Sequence, residues 1–185
     1  MKLTGLIVAV AGVLALVAAP ALADQKDERL NRLFEKLAAA PDDTQAHAVE
    51  MAIWKVWMQP KTAGVKVLLR TGIQDMEDGK KESAERNFSA AIELEPDFAE
   101  AWNKRATVRY MMGDYAGSIE DIEHTLSLES RHFGALSGLG LIYDALDEKR
   151  AAIEAFRAAL EINPHMPGIR DRLKGLVLEV EGRKL

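Results

Sequence analysis

Cysteine is absent from the chain. That excludes disulfide bonds, thiol nucleophiles, cysteine metal sites and the thioether lipid of a lipoprotein, so packing alone has to supply stability. Charge of one sign never accumulates. The 24 lysines and arginines are mixed among 29 aspartates and glutamates, the net charge is −5, and no basic run of any length occurs. Nucleic acid and anionic lipid surfaces are therefore poor candidate partners. The four histidines (His47, His124, His132 and His165) never fall three or four residues apart, so HExxH-like metal spacing is missing. No GxSxG, Walker loop or GxGxxG is present, and Gly138-Leu139-Gly140 lies inside a helical pattern. The carboxylates Glu93, Glu95, Glu120, Asp121 and Glu123 sit where solvated helix faces are the ordinary explanation. These absences lead us to expect no enzymatic activity, no metal and no cofactor.

Long apolar runs are equally scarce. One stands out, Leu6–Ala19, preceded by the single cation Lys2 and followed by Pro20-Ala21-Leu22-Ala23 and acidic Asp24. This is the three-part layout of a secretory signal peptide with Ala21-x-Ala23 as its cleavage site. The run is shorter than the ~20 residues a spanning helix needs, and Pro20 breaks it. The expectation is cleavage after Ala23 and release into a periplasm without membrane insertion; the alternative is an uncleaved N-terminal anchor.

What the chain has in abundance is self-similarity. Shifted by 34 residues, Val65–Met166 falls into register with itself. Gly72, Ala106 and Gly140 form one column, Phe88, Ile122 and Phe156 a second, Ala84, Ser118 and Ala152 a third, and Ala91, Thr125 and Ala159 a fourth. Gly79-Lys80-Lys81 aligns with Gly113-Asp114-Tyr115 and with Asp147-Glu148-Lys149, and Pro96 with Ser130 and Pro164. A period of this length marks stacked helix–turn–helix units, none able to bury its own apolar face alone. The small column lets the two helices of a unit approach closely, the large column fills the gap between units, and Trp102 stands among the large residues of the second copy.

The third copy, with Leu136, Leu139, Gly140, Tyr143, Ala152, Phe156, Ala159 and Pro164, resembles the tetratricopeptide repeat pattern W-x2-L-G-x2-Y, A-x3-F, P. The resemblance implies an all-α fold, a right-handed α-solenoid. Its organisation would be a signal peptide (1–23), an N-terminal helical pair forming a degenerate repeat (24–62), three repeats (65–98, 99–132 and 133–166 within 63–166) and a C-terminal solvating helix (167–185). The N-terminal pair is expected to stack on the first repeat as an end unit. Its Trp54 and Trp57 are read either as core or, for one of them, as an anchor at a groove mouth.

The second copy departs most from the pattern, with Arg105 where leucine and Arg109 where tyrosine are expected. We expect an internal Arg105–Asp121 ion pair, the alternative being that Arg105 meets an acidic ligand. The resemblance further implies that the first helix of each unit lines a concave groove for an extended peptide or a partner's helix. Carried over column by column, the groove would comprise Leu69, Ile73 and Met76, then Asn103, Thr107, Tyr110 and Met111, then Ser137, Leu141 and Asp144. The bland alternative has Met76, Tyr110 and Met111 packing between adjacent helices. Partners would be a peptide segment or helix of an envelope protein, and no nucleic acid. The competing readings are a self-associating homodimer without a peptide ligand and, more weakly, a small-ligand or haem carrier.

Overall fold

The computed structural model describes residues 27–182, so the apolar leader and its cleavage site lie outside the described residues. Within them the chain forms nine helices: α1 (Glu28–Ala38), α2 (Asp43–Trp57), α3 (Ala63–Glu77), α4 (Lys81–Leu94), α5 (Ala99–Met112), α6 (Tyr115–Leu128), α7 (Phe133–Ala145), α8 (Lys149–Ile162) and α9 (Pro167–Glu181). None is long and apolar enough to cross a membrane. The helices α3–α4, α5–α6 and α7–α8 pack as three antiparallel hairpins laid side by side, and α9 covers the last.

Local chemistry sets these boundaries at the 34-residue interval. After α3, the Lys80 amide reaches the Asp75 carbonyl and the Gly79 amide that of Met76. The pair recurs after α5 (Asp114 to Arg109, Gly113 to Tyr110) and after α7 (Glu148 to Tyr143, Asp147 to Asp144). Each is a helix stop of the kind that needs a left-handed residue. Gly79 (φ 75°) and Gly113 (φ 81°) supply it freely, and Asp147 adopts it at φ 58°. The other edge has its own column. Glu95, Glu129 and Asn163 follow α4, α6 and α8 and are buried there. The Glu95 carboxylate accepts the Lys61 and Thr62 amides, Glu129 the Arg131 amide and the Asn163 side chain the His165 amide.

The packing columns interlock by size. A Cβ placed on Gly72 would lie 2.6 Å from Phe88 and one on Gly140 2.4 Å from Phe156, whereas Ala106 faces the smaller Ile122 in one core. Trp102 is only half-buried: it stacks on His124 at 4.2 Å and donates from Nε1 to the Pro96 carbonyl. It is an edge contact rather than a core plug.

The N-terminal pair corrects the expectation of an end unit stacked on the first repeat. The buried Leu30, Leu37, Ala46, Ile53 and Trp57 join Phe133, with Ile162 and Met166 packed beside them, in one core. From its C-terminus back to its start, α2 meets His132 and Phe133 (through Trp57), Asn163 (through Glu50), then His165 and Arg170 (through Asp43). It thus runs along the row of turns that precede α7 and α9. The reason is local. Glu95 pins the turn at Lys61-Thr62, and the aromatic face of α2 finds His132 and Phe133 where an ordinary repeat offers less to pack on.

Candidate functional site

Between α5 and α7 lies a cleft of about 190 Å³. Asn103, Thr107 and Tyr110 recur at helical spacing along α5, and Ser137 and Leu141 face them from α7. Ala106, Ser118, Ile122, Gly134, Ala135, Gly138 and Ile142 complete the lining. Its three aliphatic hydroxyls are turned onto the backbone: Thr107 donates to the Asn103 carbonyl, Ser118 to Ala106 and Ser137 to Gly134. What the cleft presents is therefore mainly apolar, with the Tyr110 ring (5.7 Å from Tyr115) on one side and Leu141, 39% exposed, on the other.

One end of this cleft has a built wall. Trp54 of α2 packs on Gly134 so tightly that a Cβ there would lie 2.7 Å from its ring, and the Lys104 ammonium sits 5.5 Å above the same ring. Behind it, Trp57 stacks on His132 at 4.1 Å and 9°. Trp57 is core, and Trp54 is half-buried against Trp57 and Phe133. His132 accepts the Ala135 amide at Nδ1, which leaves its Nε2–H to donate to Glu100 at 3.0 Å. Glu100 is fully buried and also takes Asn103 at 3.2 Å and Lys104 at 3.1 Å. Burial pushes its carboxyl up, yet the Lys104 charge and the His132 hydrogen bond outweigh this and hold it below the usual glutamate value. Among the described residues no group of three histidines or carboxylates is placed to hold a metal ion.

The comparisons with known proteins agree with this geometry. Family models described as tetratricopeptide repeat match residues 69–123 and 133–166. A TPR repeat-containing protein of Rhizobium etli is 32% identical over 85% of this chain and 77% of its own length. The chain belongs to the tetratricopeptide repeat family. Among solved TPR folds, the first TPR of Spaghetti (RPAP3), bound to an HSP90 peptide, superposes with a TM-score of 0.61 at 19% identity, over 63% of this chain and 93% of that one. MamA superposes with a TM-score of 0.60 at 23% identity, over 80% and 84%.

Against the groove expected of a TPR array, five residues meet in the cleft: Asn103, Thr107, Tyr110, Ser137 and Leu141. Asn103 gives one of its two amide N–H groups to Glu100. Leu69 is a correction: at 3% exposure it belongs to the core of the first repeat, with Ile73 and Met76 packed against it, because that face of α3 is turned onto Phe88 and Phe98. Met111 is exposed, and its carbonyl accepts Lys81. Asp144 is taken by Arg172 through two bonds of 2.6 Å, tying α7 to α9. Arg105 binds Asp121 by a two-pronged contact of 2.9 and 2.7 Å and reaches Ser89. Arg109 adds a second cation 3.2 Å from the same carboxylate while bonding Glu85. Glu100 and His132 escaped the sequence reading. His132 stands in a column with Phe98 and Met166, whereas the column of Glu100 already holds a charged residue in Lys66 beside Gly134 and Gly168.

Proposed function

We propose that this protein is a non-catalytic scaffold of the cell envelope whose α5–α7 cleft takes an apolar side chain from an extended segment or helix of a partner protein. The cleft carries the reading. At about 190 Å³ it falls below the roughly 300–1,000 Å³ of small-molecule sites but suits one large side chain. The hydroxyls of Thr107, Ser118 and Ser137 are already bonded to main-chain carbonyls, so an apolar group entering the cleft leaves none of these three newly unpaired. A similar fold holding a peptide of HSP90 supports the same use. Action outside the cytoplasm rests on the Leu6–Ala19 run and the Ala21-x-Ala23 site.

Two variants test the cleft without touching the core, since Thr107 and Leu141 are exposed. Affinity capture from envelope extract should recover a protein with the wild type and lose it with Thr107→Arg or Leu141→Asp. Equal capture by both variants removes the cleft from the interaction. A stable dimer in light scattering, broken by Leu141→Asp, would favour self-association instead. Mass spectrometry of the exported protein should find Asp24 at its N-terminus.

A further inference from the structure

The outer face of the N-terminal hairpin carries a second surface, on the side of α1 and α2 away from the repeats. An open cleft of about 340 Å³ lies between the two helices, lined by Arg29, Arg32, Leu33 and Lys36 of α1 and by Lys55 and Val56 of α2, among others. On α1 these residues fall at positions 29, 32, 33 and 36, one helical stripe. The composition is unusual for this chain. The protein as a whole is acidic, yet the lining holds four cations and no anion. Arg29 is bonded to Asp27, but Arg32, Lys36 and Lys55 make no hydrogen bond or ion pair among the described residues. The floor is apolar, and one turn from Lys55 the side chain of Met51 stands 54% exposed. On the side of α2 turned to the repeats, Ala46, Ile53 and Trp57 are buried. Leu33 and Val56 are half-buried against the hairpin core and leave an apolar edge in the cleft.

We infer that this cleft docks an acidic amphipathic helix of a partner protein. Charge complementarity selects the occupant. Carboxylates one turn apart on such a helix would meet Arg32, Lys36 and Lys55, while its apolar stripe would lie on Leu33 and Val56. The site is separate from the α5–α7 cleft and stands or falls independently of it. A flat anionic bilayer is the other surface cations attract, but it offers no ridge to enter a cleft between two helices, so we assign the site to protein.

The test uses the mature chain and a fluorescein-labelled 18-residue helical peptide of glutamate and leucine, followed by anisotropy at low salt. The wild type should bind it. Binding should weaken at least tenfold with the triple variant Arg32→Glu, Lys36→Glu, Lys55→Glu, and at least tenfold for a peptide in which serine replaces leucine. Leu141→Asp should leave it unchanged. All three charges are exposed, so circular dichroism should report an intact fold. Undiminished binding to the triple variant, loss of binding with Leu141→Asp, or no binding by the wild type overturns the proposal. So does tighter sedimentation with phosphatidylglycerol vesicles than with neutral ones if the acidic peptide fails to compete.

Discussion

Gly140 and Phe156 show how one repeat encodes its own packing. The glycine exists because the ring occupies the space its side chain would need, so Gly140→Ala should cost about 1–3 kcal/mol through overpacking. Shrinking the partner at the same time, with Phe156→Ile, should recover part of that loss in urea unfolding, since Ala106 and Ile122 already coexist in the second repeat. If the double variant is no better than the sum of the single ones, the size matching is wrong. The Arg105–Asp121 contact yields an unequal pair of outcomes. Asp121 is 1% exposed and held by two guanidinium groups, so Asp121→Ala leaves Arg105 without its carboxylate and should cost about 3–5 kcal/mol, although Arg109 keeps Glu85. Arg105→Ala should cost less, because Arg109 still partners the carboxylate. Equal losses would contradict that sharing. These residues were legible in the sequence because they sit in columns. Glu100 and His132 were not, because their bond joins the start of α5 to the turn before α7, 32 residues on, and the other repeats have no matching pair in those columns.

At the scale of elements, the helices α3–α8 followed from the 34-residue period and their stops repeat with it, whereas side-chain caps come only from Thr62, Asp114 and His132 and not from Lys80, Phe98 or Glu148. The position of α1 and α2 did not. Their amphipathic pattern says that one face is buried, and nothing in it says against what; the answer depended on His132 and Phe133. The hairpin's seat also carries an acid-sensitive component. The folded state holds Glu100 below its ordinary value, so its stabilisation is fully present above about pH 4.3, the usual glutamate range, and is lost as pH falls through it. Denaturation midpoints of the wild type should fall more steeply below about pH 4.3 than those of Glu100→Gln, which starts lower at neutral pH. Parallel curves would remove Glu100 from the acid response. Trp57→Ala should cost about 3–5 kcal/mol, being fully buried against His132 and Phe133. Trp102→Ala should cost less, because Trp102 is only partly buried where it packs against the core of the first repeat.

At the scale of the whole molecule, three stacked hairpins make a hollow, and the N-terminal hairpin shortens it. Its Trp54 closes one end and leaves the stretch from Asn103 to Tyr110 opposite Ser137 to Leu141 open to a partner. The first repeat, whose Leu69 is core, contributes less to that opening than the column-by-column carry-over implied. The most direct measurement replaces Leu141 with a photo-crosslinking amino acid in the living cell and compares it with the same replacement at exposed Arg157 of α8. The account predicts a crosslinked partner protein at position 141 that is absent at 157 and disappears when Tyr110→Ala is added. Crosslinks of equal strength at both positions, or a position-141 product made only of two copies of this chain, would contradict it.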